Sequence, residues 1–392
     1  MSCQKKILFL FGTRPEALKL APVIRAFQDE IKLEVRICVT AQHRELLDQA
    51  LLSFRIKSDF DLNLMLPDQS LPGLISRIVA AAGEVLDRER PDLVIVQGDT
   101  ASALGGALAA SLCKIPIAHV EAGLRSFRRG SPFPEEINRV LISRLADLHF
   151  APSESAAENL RREGITGGIF VVGNPIVDSL KNVLRDLKGR EDEPRRAELQ
   201  AWAGGRRIVL LTLHRRESFG DAMTNICRAI REIAMGAEDM EFFFPVHPNG
   251  RVRDTIREQL SDIKNVRLLD PLAYEDFVWL LSRATLVISD SGGVLEEAVT
   301  MGVPILVVRE ITERVDAIRA GHAQIAGVSV AQIVAEARTL LQTLTNSNPL
   351  RRTLRETFGD GKTSARIVMR TKEFLCGGSG AAVAKVTPQF TQ

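Results

Sequence analysis

Short apolar runs alternate along the chain with longer stretches whose apolar residues recur at helical spacing. Residues 7–11, 35–39, 93–96, 115–119 and 148–150 form one series of β-rich runs, and 208–212, 242–246, 266–269, 286–289 and 305–308 form a second. Strands that alternate with helices predict βαβ units and parallel sheets. Two such series predict an α/β protein of two doubly wound domains, 1–173 and 174–364, divided where the first series ends in Gly173-Asn174-Pro175. The charged stretch 188–198 then falls in the first helical region of the second domain. Residues 377–392, rich in Gly, Ala and small polar residues, show no pattern able to bury a face and are expected to form a disordered tail.

Polar clusters stand just after several apolar runs: Phe-Gly-Thr-Arg-Pro-Glu (11–16), Gly-Asp-Thr (98–100), His-Val-Glu-Ala-Gly-Leu-Arg (119–125), His-Arg-Arg-Glu (214–217) and Asp-Ser-Gly-Gly (290–293), with Pro-Glu-Glu at 134–136. In an open parallel sheet the ligand crevice lies outside the carboxyl ends of the strands, so these clusters point to an enzyme with a polar cleft. Thr13 with Glu16, and Pro15 in the first turn, reads as a helix start in which the hydroxyl accepts a backbone N–H and the carboxylate reaches back. Ser155 with Glu158 repeats that signal. Ser291-Gly292-Gly293-Val294 differs, because position 294 has no carboxylate. Such a start suits an anion approaching the two glycines, or a plain serine cap.

Composition narrows the function. At 392 residues two domains are the natural expectation. With 51 basic and 49 acidic residues well mixed and a net charge of +2, no footprint for nucleic acid appears. No apolar run is long enough for a membrane span, and Arg14 ends the apolar start too soon for a secretory signal. The five scattered cysteines fit neither a disulfide framework nor a paired-thiol zinc site, and suit reduced thiols in the cytoplasm.

Familiar cofactor motifs fail. No Gly-x-Gly-x-x-Gly follows the first strand, and Gly361-Lys362-Thr363 has Glu356 where a phosphate loop needs glycine. His119, His214 and His247 have no second histidine at helical spacing, which disfavours zinc. His119 is read as orienting the loop that follows it. His214, beside Arg215, Arg216 and Glu217, is read as a phosphate-binding group.

At these residues the chain resembles the non-hydrolysing UDP-N-acetylglucosamine 2-epimerases, from about residue 7 to about residue 374. The resemblance is carried by Phe-Gly-Thr-Arg-Pro-Glu-Ala-x-Lys-x-Ala-Pro (11–22), Thr-Ala-Gln-His-Arg-Glu (40–45), the 119–125 cluster, Thr-Glu-Arg (312–314) and Gly-Asp-Gly (359–361), each weak alone and specific in combination. It implies the GT-B architecture, two Rossmann-like domains facing a cleft, with a C-terminal helix at 365–376 crossing back to the first domain. It also implies reversible inversion at C2 of the sugar, through 2-acetamidoglucal and UDP, for bacterial surface polysaccharides. No cofactor or metal is implied; the partners are the UDP-sugar substrate, a UDP-N-acetylglucosamine effector and a second copy in a homodimer.

Carried over residue by residue, the resemblance places functional acids at Asp99, Glu121 and Glu135 and a functional histidine at His214. Arg14, Lys19, Phe277, Ser291, Gly292, Gly293, Glu297 and Arg314 become substrate-binding candidates, with Glu297 on the ribose and Phe277 near uracil. Gln42, His43, Gln69, Arg215 and His247 match a regulatory site, although Asp68 stands where many members carry arginine. Val299, Glu310 and Val315 also depart from the family's usual proline, aspartate and proline. The competing readings are a hydrolysing 2-epimerase, a GT-B glycosyltransferase and a catalytically silent UDP-sugar-binding regulator. Three acids are more than nucleotide binding alone requires, which weighs against the last two.

Overall fold

The computed structural model describes residues 4–42, 44–66, 69–190, 193–215, 220–246, 250–344 and 354–377. Among them are thirteen strands: β1 Lys5–Phe11, β2 Leu33–Val39, β3 Phe60–Asp61, β4 Leu93–Gln97, β5 Ile117–Val120, β6 Leu148–Ala151, β7 Ile169–Val171, β8 Arg207–Thr212, β9 Met240–Pro245, β10 Val266–Leu269, β11 Ala284–Ser289, β12 Ile305–Val307 and β13 Ala323–Ile325. They form a seven-stranded sheet ordered β3-β2-β1-β4-β5-β6-β7 and a six-stranded sheet ordered β10-β9-β8-β11-β12-β13. Every pairing is parallel. Each order reverses once, between β1 and β4 and between β8 and β11, which is the doubly wound Rossmann pattern. The fold is thus α/β with two Rossmann-like sheets, of the GT-B class.

The central strands explain themselves. β4, Leu-Val-Ile-Val-Gln, is buried at every position, and β11 is buried throughout as well. Strands covered by helices on both faces need continuous apolar, β-branched sequence rather than alternation. The edge strands β3, β7 and β13 have two or three residues each, too few to leave a run in the sequence. The run expected at 115–119 is shifted. Ile115 closes the preceding helix, its N–H bonded to Ala110 O at 2.9 Å, and the strand begins at Ile117.

The chain divides into two compact units, Met1–Pro175 with Gly361–Gln392, and Ile176–Asp360. In the first unit the helix Thr363–Cys376 packs along the helix Arg14–Gln28, with Ile367 and Val368 buried and Lys372 Nζ 2.7 Å from Glu30 Oε2. The charged stretch 188–198 is not one helical segment: it runs from the end of the helix Pro175–Leu187 into the helix Pro194–Ala203, with residues 191 and 192 outside the described set. The expected tail beyond Gly377 also lies outside it. Among the described residues no helix is long and apolar enough to cross a membrane.

Two helix starts differ from expectation. At Thr13 the carboxylate of Glu16 does reach back, accepting from Gly12 N at 3.1 Å, but the Thr13 hydroxyl donates to that carboxylate at 2.7 Å instead of accepting a backbone N–H. The buried carboxylate is a strong acceptor for the hydroxyl proton, and the side chain is oriented to donate to it instead of to cap the helix. In the second case the cap is Ser153, which accepts from Ala156 N at 3.3 Å. Glu158 faces Arg161 and Arg162 on the outer surface. Ser291 is a cap as expected, accepting from Val294 N at 3.4 Å.

The loop after β5 depends on one glycine. Gly123 has φ +90°, and a Cβ there would lie 2.1 Å from the carbonyl oxygen of Ala156 in the neighbouring helix. Backbone cannot yield as a side-chain tip can. Gly123→Ala is therefore expected to cost about 1–3 kcal/mol of unfolding free energy, measured by urea denaturation; an unchanged midpoint would show that the loop and helix separate without cost.

Candidate active site

In the first unit, the loops after β1, β4 and β5 carry the candidate groups to one edge of the sheet. Parallel strands all end at the same edge, and the reversal between β1 and β4 opens space there. Asp99 follows β4. Its Oδ2 accepts from Arg139 Nε at 3.0 Å and Nη2 at 2.5 Å, and its carbonyl accepts from Asn138 Nδ2 at 2.8 Å. Arg139 is buried and also donates through Nη1 to Glu136 at 3.0 Å. Glu136 in turn accepts the backbone N–H groups of Ser126 and Phe127. One guanidinium thus fixes both Asp99 and the loop that precedes Glu135.

Glu121 follows β5 with φ +66°, a left-handed conformation that few residues other than glycine adopt. It is buried, and its Oε2 accepts from Lys19 Nζ, from Gln97 Nε2 at 3.0 Å and from Asn174 Nδ2 at 3.4 Å. Glu135 opens the helix Glu135–Leu145 and is half-buried, as is Arg14 in the first turn of its helix. His119, read as orienting a loop, donates from Nε2 to Gly98 O at 2.7 Å, next to Asp99. Burial drives its pKa down to about 3, against the opposing pull of that carbonyl. It is therefore a neutral imidazole, and a carbonyl partner places its proton on Nε2. Arg125, at the end of the same cluster, is structural: it pairs with Glu163 through two 2.7 Å bonds and donates to Ser143 at 3.0 Å.

The regulatory candidates of this unit lie on two loops. Gln42, after β2, accepts from Ser102 Oγ at 2.9 Å. Gln69 accepts from Leu66 N at 3.2 Å and from Arg77 Nη2 at 2.6 Å. Arg77 was not visible as a candidate, because on the helix Leu71–Glu89 it looks like any solvent-facing arginine. His43, Asp68 and His247 lie outside the described residues.

In the second unit the reversal between β8 and β11 plays the same part. Asp290, fully buried after β11, accepts from the backbone N–H groups of His214 (3.2 Å to each oxygen) and Arg215 (2.9 Å) after β8. The His214 ring, 39% exposed, has Nδ1 3.6 Å from Asp290 Oδ1. Ser291 caps the nine-residue helix Gly292–Thr300, whose first turn holds no acidic residue. Its first-turn N–H groups lack intrahelical acceptors, which is a setting for an anion. Gly292 leaves room for Arg314: a Cβ there would stand 2.9 Å from the guanidinium carbon.

Arg314 is itself buried, donating from Nε to Glu296 at 2.9 Å and pairing with Glu313. Glu313 is also 3.4 Å from Arg309 and 3.7 Å from Arg215. Three guanidinium groups thus meet two carboxylates below the helix start. Arg309 and Glu313 were missed individually, although Thr-Glu-Arg marked the place. Glu297 is buried, not an exposed helix position, and Phe277 is buried in the helix Tyr274–Arg283.

Comparison with known proteins agrees in sequence and in structure. The sequence profile described as UDP-N-acetylglucosamine 2-epimerase matches residues 25–372. The UDP-N-acetylglucosamine 2-epimerase of Escherichia coli (strain K12) is 42% identical over 372 residues, covering 94% of this chain and 98% of that one. The crystal structure of UDP-GlcNAc 2-epimerase from Neisseria meningitidis, bound to UDP-GlcNAc, is 39% identical with a TM-score of 0.90, covering 94% of this chain and 100% of the other. That of the Methanocaldococcus jannaschii enzyme, in complex with UDP-GlcNAc and UDP, is 34% identical with a TM-score of 0.83, covering 94% and 99%. The chain belongs to the UDP-N-acetylglucosamine 2-epimerase family.

Proposed function

We propose that the chain interconverts UDP-N-acetylglucosamine and UDP-N-acetylmannosamine by elimination and re-addition of UDP, without releasing the free sugar. The observation that carries this reading is Glu121, a buried carboxylate held in left-handed backbone beside Lys19, Gln97 and Asn174. Such strain persists only where the surroundings over-determine it, and it concentrates at sites of chemistry. Family membership supplies the substrate class, and the N. meningitidis relative is bound to UDP-GlcNAc.

The C2 hydrogen of the sugar has no adjacent carbonyl to acidify it. Removal of that proton by a carboxylate therefore goes with cleavage of the C1–O bond, whose electron pair leaves with UDP, and a C1–C2 double bond remains. In the reverse step the UDP oxygen returns to C1 and a proton is delivered to the opposite face of C2. Asp99, Glu121 and Glu135 are assigned to proton transfer and to stabilising positive charge at C1, with groups needed on both faces. His214, Arg14, Arg314 and the Ser291-Gly292-Gly293 helix start are assigned to the diphosphate, whose charge grows as it departs. Lys19 holds Glu121, Glu297 takes the ribose and Phe277 lies by the uracil. Gln42, His43, Gln69, Arg215 and His247 are assigned to a regulatory UDP-N-acetylglucosamine.

Incubation with UDP-N-acetylglucosamine in deuterated water, followed by proton NMR, tests the reaction. Intact UDP-N-acetylmannosamine with deuterium at C2 is expected. Conversion without deuterium would reject the elimination route, stoichiometric free N-acetylmannosamine would indicate hydrolysis, and no change without an acceptor would indicate a transferase. Asp99→Asn, Glu121→Gln and Glu135→Gln should each lower turnover about 100-fold or more while UDP binding changes little; near-normal turnover in all three would remove the assignment. UDP-N-acetylmannosamine alone should react slowly and accelerate on addition of a trace of UDP-N-acetylglucosamine, with Gln69→Ala blunting the acceleration. An immediate full rate in those progress curves would show that no regulatory site operates.

A further inference from the structure

Glu16 is 1% exposed, yet its carboxylate does more than start a helix. Oε2 accepts from Gly12 N at 3.1 Å and Thr13 Oγ1 at 2.7 Å, on the loop after β1. Oε1 accepts from Thr100 Oγ1 at 2.8 Å, on the loop after β4. The Thr100 oxygen also accepts from Ala103 N at 3.0 Å and so caps the helix Ala101–Leu112. Thr100 is therefore pinned on two sides, and Asp99 is its immediate neighbour. Arg139 holds the Asp99 carboxylate and Asn138 its carbonyl, and Glu16 ties the neighbouring Thr100 to the loop of the strand across the reversal.

The charge setting is unusual. The hydroxyls of Thr13 and Thr100 and the backbone N–H of Gly12, which donate to Glu16, are all neutral. On its own helix Arg14 is half-buried and Lys19 pairs with Glu121. The β2 end contributes Thr40 and Gln42, the helix Ala101–Leu112 contains no ionisable residue, and Asp99 is turned to Arg139. Burial raises the Glu16 carboxyl to about 7, and the hydrogen bonds from Thr13, Thr100 and Gly12 oppose that rise without cancelling it. An ionised carboxylate accepts from all these donors at once; a neutral carboxyl must turn its own O–H toward one of them. Loss of the charge thus loosens the tie.

We infer that Glu16 is a positioning residue for the reaction, joining the loop after β1 to the loop after β4 so that Asp99 is held in its working place. The inference rests on the assignment of Asp99 given above. Its consequence is an acid limb in turnover, as Glu16 gains a proton when the pH falls through about 7. Stability runs the other way: the folded state favours the neutral carboxyl, so its contribution is complete below the unfolded pKa and is lost as the pH rises through the folded one.

The test is kcat and KM of UDP-N-acetylglucosamine consumption from about pH 5.5 to 9, with amide hydrogen exchange over 99–103, for wild type, Glu16→Gln, Thr100→Val and Thr100→Ser. Glu16→Gln is expected to lower kcat about ten-fold or more with KM within about two-fold, to lose the acid limb and to speed exchange at 99–103. Thr100→Val should do the same to kcat, and Thr100→Ser should restore it. A folded Glu16→Gln protein with wild-type kcat and pH profile would overturn the inference, even if its stability changed. Wild type that consumes no UDP-N-acetylglucosamine would overturn the proposed function instead; unchanged exchange at 99–103 in Glu16→Gln would then count separately against the positioning role.

Discussion

A doubly wound sheet sends the chain to opposite faces from its two central strands, and the loops at that reversal must be held together against their own divergence. Each unit of this protein meets the requirement with one buried carboxylate. In the first, Glu16 after β1 binds Thr100 after β4; in the second, Asp290 after β11 binds the N–H groups of His214 and Arg215 after β8. The two devices run in opposite directions along the chain and do the same work. Arg14, Asp99, His214 and Ser291, four of the groups assigned above, stand on or beside the residues that these acids hold.

The price of such acids is desolvation, and the two units handle it differently. Asp290 accepts the backbone amides of His214 and Arg215, fixed dipoles that the fold already holds in place. Glu16 accepts hydroxyls and a backbone amide, and its protonation remains close to balance near neutral pH. Asp99 and Glu121 instead have cations, Arg139 and Lys19. A buried charge is tolerated when paired and hydrogen-bonded, and leaving one partner behind is costly. Hence Arg139 and Lys19 constrain the site as firmly as the acids do.

Much of the architecture was legible because covered strands demand apolar runs: β1, β4, β8 and β11 stand out in the sequence. The strands β3, β7 and β13 did not, since an edge strand of two or three residues is defined by its neighbour's hydrogen bonds rather than by its own composition. Ser155 misled where Ser153 caps, because serines two residues apart carry the same local signal and only the chain's entry path decides between them. The motif-borne residues were found at strand ends. Arg139 and Arg77 were not, because a charged residue on a helix reads as solvated until the tertiary fold turns it inward, and Arg309, in the loop after β12, carried no signal of its own.

The helix Thr363–Cys376 belongs to the same compact unit as the helix Arg14–Gln28, on which it packs, while residues 176–360 form the other unit. During synthesis the whole second unit is made before the element that covers Phe27's helix exists. The first sheet can form early, since all its strands lie before Pro175, but one flank of it waits. Ile367 and Val368, buried at the end, are the last apolar side chains to reach it. A nascent chain arrested after residue 360 would therefore hold one finished unit and one with an open apolar seam, an invitation to chaperones that the mature protein no longer extends.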